Sequence, residues 1–179
     1  MIEILLLLLS INLLQFSSAR LPDDKMALVY GNICFIDKSV ADDEEILKYY
    51  GYTAAINCVP KYNVTYKDIK TLNLGVKIKS YEKLFPKIEE GYEFLNKHLE
   101  NGGRVLLITA RGDGLAPALT IYYVMRDLGY KYDKALRFVN SNRPSTRTYD
   151  HYARELREYS EPKKPKREKK KFKKDLIKN

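Results

Sequence analysis

Cysteine and histidine are scarce in this chain, with two of each among 179 residues. Two cysteines are too few for a disulfide-held miniprotein. His98 and His151 stand far apart without metal-ligand spacing, so neither a metal site nor a cofactor is expected. Nine glycines and seven prolines exclude a collagen-like or low-complexity chain. No apolar run reaches the roughly 20 residues that a membrane-spanning helix needs. What is present, 45% hydrophobic and 12% aromatic residues, suffices for one domain with a proper core.

Charge is unevenly spread. The net charge is +9, yet residues 160–179 hold ten basic residues against three acidic ones, while residues 1–19 carry only Glu3. The chain therefore reads as a nearly balanced body with a basic tail. Residues 4–14 are apolar except for Ser10 and Asn12, and Ser17 and Ala19 are the small residues that signal peptidase requires. This pattern predicts a cleavable leader over 1–19 and secretion by way of the ER. A membrane anchor is the alternative, and the absence of Lys or Arg before the apolar run departs from the usual leader.

Secretion changes how two other features read. In an oxidising compartment Cys34 and Cys58 become a candidate disulfide, the alternative being two small buried hydrophobes. Asn63-Val64-Thr65 is a glycosylation sequon, which makes Asn63 a candidate acceptor and the chain a candidate glycoprotein.

Periodicity predicts alternating strands and helices. A short strand is expected over 26–30, then a helix opened by a capping box of Asp42 with Glu45 and stopped by Gly51. Strands are expected over 53–59 and 72–78. Helical spacing of Leu84, Ile88, Tyr92, Leu95 and Leu99 predicts a helix over 81–99, ended by Asn101-Gly102-Gly103. Residues 104–109 read as a central buried strand, Pro117 suits the first turn of the next helix, and two more helices are expected over 133–141 and 150–159. The result is an α/β domain over 27–159, preceded by a lead-in at 20–26. Its central, mainly parallel sheet is flanked by helices and its C-terminal half is helical.

A strand ending at Thr109, a glycine-bearing loop and a helix near Pro117 form the usual arrangement for gripping a phosphate. The order of Tyr30-Gly31-Asn32, the 51–58 segment, Asn101-Gly102-Gly103-Arg104-Val105, this loop, Ala135-Leu136-Arg137-Phe138-Val139 and Asn142-Arg143-Pro144 resembles the dual-specificity protein phosphatases. These are cysteine-dependent members of the tyrosine-phosphatase superfamily. The resemblance implies a loop with a nucleophilic cysteine, a phosphate-clamping arginine and a central glycine, and a general-acid aspartate on an earlier loop. At those positions this chain has Ala110, Ala116, Asp113 and Ile78. A methyl group cannot attack phosphorus, an alanine cannot clamp its oxygens, and an isoleucine cannot donate a proton.

The resemblance therefore implies a pseudophosphatase, a phosphatase-like scaffold that binds without hydrolysing. Alternatives are a weak phospho-ligand module using Arg111, Gly112 and Gly114, and an active phosphatase with displaced chemistry. Lys163, Lys164, Lys166, Arg167, Lys169, Lys170, Lys171, Lys173 and Lys174 form a cluster suited to glycosaminoglycans or other polyanions. Nucleic acid is not expected if the chain is secreted; without the leader, the same cluster reads as a nucleic-acid or nuclear-localisation patch. Arg111-Gly112-Asp113 resembles the integrin-recognition tripeptide.

Overall fold

The computed structural model describes residues 25–75, 83–110, 114–144 and 146–160. The leader, Ile78, Arg111, Gly112, Asp113 and the basic tail lie outside the described residues. The strands are β1 (Met26–Tyr30), β2 (Ile33–Asp37), β3 (Ala54–Asn57), β4 (Lys70–Asn73) and β5 (Val105–Thr109). The helices are α1 (Glu44–Tyr49), α2 (Leu84–Glu100), α3 (Leu115–Leu128), α4 (Tyr132–Asn142) and α5 (Asp150–Ser160). None of the described helices is long and apolar enough to cross a membrane.

The sheet order is β1-β2-β5-β3-β4, with only β1 antiparallel. Every residue of β5 is buried, as a strand between two parallel neighbours with both faces covered requires. Side chains alternate across the strands, so the sheet divides the core into two layers. On one face Ile33, Phe35, Ile56 and Leu107 pack against α2, α3, α4 and α5 through Ile88, Leu119, Val139 and Leu156. On the other, Cys34, Ile36, Ala55, Leu106 and Ile108 meet Leu47 of α1 and the Val64, Tyr66 and Ile69 side chains.

This division overturns the candidate disulfide. Cys34 lies in register with Leu106 on the α1 face, whereas Cys58 belongs to the layer under the long helices. Both thiols are free and buried. They sit on opposite sides of the sheet with β5 between their strands, so no side-chain rotation joins them.

Element boundaries follow local hydrogen bonding. The residue capping α1 is Asp43, not Asp42; its carboxylate accepts from the Ile46 N–H at 3.1 Å. Asp42 instead accepts from the Tyr62 hydroxyl. Leu47 is the one buried residue of this short helix. Its burial is worth about 1.5–3 kcal/mol and the cap about 1 kcal/mol, both more than the exposed Lys48 ion pairs supply.

β4 begins before residue 72 and stops at Asn73. The Asn73 carboxamide bonds both ways to Val64, accepting from its N–H at 3.2 Å and donating to its carbonyl at 3.0 Å. Gly75 then passes so close to the Val59 carbonyl that a Cβ would lie 2.6 Å from its oxygen. β2 is an element that the sequence reading left out.

Candidate functional site

The carboxyl ends of the parallel strands meet the head of α3 at one edge of the sheet, the place where open α/β sheets bind ligands. β2 ends there with Asp37, in register with Thr109 of β5, and β3 ends there with Asn57, opposite Ile108. The next N–H, that of Cys58, donates to the Ile108 carbonyl at 3.0 Å and carries β3 past the end of its ladder.

Ala110 follows β5 directly. Its methyl group is half-buried against the layer containing Val59, Val64 and Tyr62. Gly114 opens α3 with φ +83°, and its carbonyl accepts the first helical bond from Ala118. Ala116 and Ala118 are fully buried in the other layer, so the first turn of α3 is apolar where it meets the sheet.

Gly114 does not play its expected part. Its N–H donates to the Arg147 carbonyl at 3.1 Å, and the Tyr149 ring covers the glycine on the other side. That amide is thus engaged within the protein and is not available to an anion. The loop is anchored at this end to the 146–149 segment.

A cation whose role the sequence does not reveal sits at the same edge. Arg143 follows α4 and is half-buried, with its guanidinium 5.3 Å from the centre of the Phe35 ring. Burial pulls its pKa below the usual arginine range, and the Asp37 carboxylate opposes that pull. Its Nη1 is buried with no hydrogen-bond partner among the described residues. The Asp37 carboxylate also accepts from the Ser39 N–H at 2.9 Å, turning the chain away after β2.

Both thiols are buried within the sheet layers. Burial in apolar surroundings pushes the Cys58 thiol far above the ordinary range. Cys34 is likewise raised by burial, although Tyr52 and the Arg104 guanidinium beside it oppose the shift. Burial thus favours the neutral thiol at both positions, and the thiolate is the reactive form. His98 is half-buried with its ring 4.5 Å from that of Phe94, and burial together with Lys97 and Lys70 holds its pKa below the usual value. His151 stacks on Tyr149, and no metal-ligating cluster occurs among the described residues.

This edge has the outline of one family. The dual specificity phosphatase catalytic domain matches residues 34–162. The chain belongs to the dual specificity phosphatase family. Tyrosine-protein phosphatase vhp-1 of Caenorhabditis elegans is 30% identical over 125 residues, covering 68% of this chain and 19% of that protein. The chain thus spans about a fifth of that relative's length.

Among solved structures, human DUSP28 superposes with a TM-score of 0.68 at 22% identity, over 78% of this chain and 95% of the other. The human tyrosine phosphatase-like serine/threonine/tyrosine-interacting protein gives 0.69 at 22%, over 76% and 95%. These likenesses bear on the fold, and they match the mixed, mostly parallel sheet and the helical C-terminal half described above.

Proposed function

We propose that this chain is a secreted pseudophosphatase: a dual-specificity-phosphatase scaffold that acts by binding and does not hydrolyse phosphate esters. The observation that carries the proposal is the absence of a thiol from the junction of β5 with α3. The chain's two cysteines are Cys34 and Cys58, both buried within the sheet layers. Phosphoryl transfer in this family needs a nucleophile that becomes charged, a cation that follows the charge on the phosphoryl oxygens, and an acid for the leaving group. Ala110, Ala116 and Ile78 offer none of these. A similarly folded human protein is named phosphatase-like and interacting, which supports the same use of the scaffold here.

A phospho-ligand module is the weaker reading. With the Gly114 amide already bonded, it would rely on Arg111, Gly112 and the half-buried Arg143. Displaced phosphatase chemistry would need a reactive thiolate, a form that burial disfavours at both Cys34 and Cys58. Integrin contact through Arg111-Gly112-Asp113 is weaker again, since sequence is its sole support.

The leader directs the chain through the ER, and the basic tail is its polyanion-binding element. Purified residues 20–179 are expected to release no p-nitrophenol from p-nitrophenyl phosphate and no phosphate from phosphotyrosine peptides above a heat-denatured control. Turnover abolished by a change within residues 110–116 would overturn the proposal. Retention on a heparin column is expected to fall sharply when residues 160–179 are deleted; unchanged retention would dismiss the tail as the binding element.

A further inference from the structure

We infer that Asn63 carries an N-linked oligosaccharide, and that this glycan stands at the rim of the β5–α3 junction. The inference rests on the secretory reading above for its route, and on the structure for its place. A sequon alone is weak, because the tripeptide recurs by chance. Here the fold presents it in an accessible form.

Along residues 63–66 the side chains alternate. Asn63 and Thr65 are exposed, whereas Val64 and Tyr66 are buried in the α1-side layer. The acceptor carboxamide and the hydroxyl that the sequon requires therefore share the solvent side, and the residues between and after them anchor the strand-like stretch. The backbone on either side is held firmly. Tyr62 accepts from the Asn57 side chain, and Val64 is bonded through both its N–H and its carbonyl to Asn73. Asn57 and Asn73 are in turn joined at 2.9 Å. None of these bonds uses the exposed Asn63 side chain, so a sugar attached there breaks none of them.

The position has a consequence for the candidate site. Val64 and Ala110 belong to the same apolar layer. Tyr62 and Val64 are bonded to Asn57 and Asn73, the last residues of β3 and β4, so a glycan on Asn63 stands at the carboxyl edge of the sheet, the edge that also carries the β5–α3 junction. A bulky, hydrated oligosaccharide at that edge fits a protein that binds there selectively or elsewhere, and not an open cradle for phosphoproteins.

The test is expression of the full chain in a mammalian secretory cell in two forms, one with residues 1–19 and one in which a proven cleavable leader replaces them. The secreted product of the second form is expected to run as a single glycoform that collapses to the unmodified size on peptide-N-glycosidase treatment. Asn63→Gln and Thr65→Ala should abolish the shift, and Thr65→Ser, which keeps the sequon, should retain it. Secreted protein of unmodified size from the second form would overturn the inference. So would a shift that survives Asn63→Gln. Glycosylation of the second form but not the first would leave the Asn63 site standing and reject the native leader.

Discussion

The Tyr149 ring lies against Gly114, so that a Cβ built on the glycine would come within 2.9 Å of the ring carbon Cε2. The same glycine has φ +83° and ψ −125°, a conformation that residues with a side chain avoid. Gly114→Ala is expected to destabilise the protein by about 1–3 kcal/mol, from backbone strain and displacement of the ring. Urea denaturation of the purified variant measures it, and an unchanged midpoint would show that the aromatic lid yields freely.

A second long-range contact fixes the head of α2. The Leu84 N–H donates to both carboxylate oxygens of Glu155 on α5, at 3.1 and 3.3 Å. The N-cap residue of α2, Lys83, contributes no side-chain hydrogen bond of its own. Glu155→Ala is expected to cost about 1 kcal/mol, while Glu155→Gln, which keeps an acceptor, should lose less. Equal losses would mean that the side chain packs and does not cap.

Glu44 predicts a local response to acid. Its carboxylate accepts from the N–H groups of Lys67 and Asp68 at 3.0 and 2.9 Å, and these bonds hold its pKa below the ordinary 4.5. A folded-state pKa that is depressed gives stability fully present above the unfolded value and lost as pH falls through the folded one. Amide exchange at Lys67 and Asp68 should therefore accelerate relative to core amides as pH falls below the ordinary glutamate range. In Glu44→Gln that acid-induced component should vanish.

Restoring one reactive atom is not expected to restore an enzyme. Ala110→Cys should show no turnover of p-nitrophenyl phosphate above background, because no arginine follows at position 116 to receive the developing charge. Ala116→Arg places a guanidinium where the side chain is fully buried. It should destabilise the fold by about 3–5 kcal/mol if the charge stays unpaired. Steady activity in Ala110→Cys alone would show that another cation, Arg111 or Arg143, serves in place of the missing arginine.

Much of the architecture was legible in the sequence because its signals are periodic. The apolar spacing of α2 buries Leu84, Ile88 and Leu95, and the continuous run of β5 is buried throughout. β2 is a run of only four apolar residues, Ile33 to Ile36, and the hairpin before it is what marks that short run as a strand. Tyr30 pairs with Ile33 across the two residues Gly31 and Asn32, and Gly31 has φ +50°, the mark of a tight hairpin. The capping residue of α1 slipped by one because Asp42 and Asp43 are chemically equal choices, and only the Tyr62 hydroxyl decides between them. At the candidate site the residue types were readable, but their engagements were not. That the Gly114 amide belongs to Arg147, and that Arg143 lies over Phe35, are contacts between segments far apart in the chain.

The separation of the two sulfurs by the sheet has an environmental corollary. Moving from a reducing cytosol to an oxidising lumen gives this fold no internal staple to form and none to lose. Its stability rests on packing and hydrogen bonds without a sulfur bridge, and reductants should leave its melting behaviour unchanged.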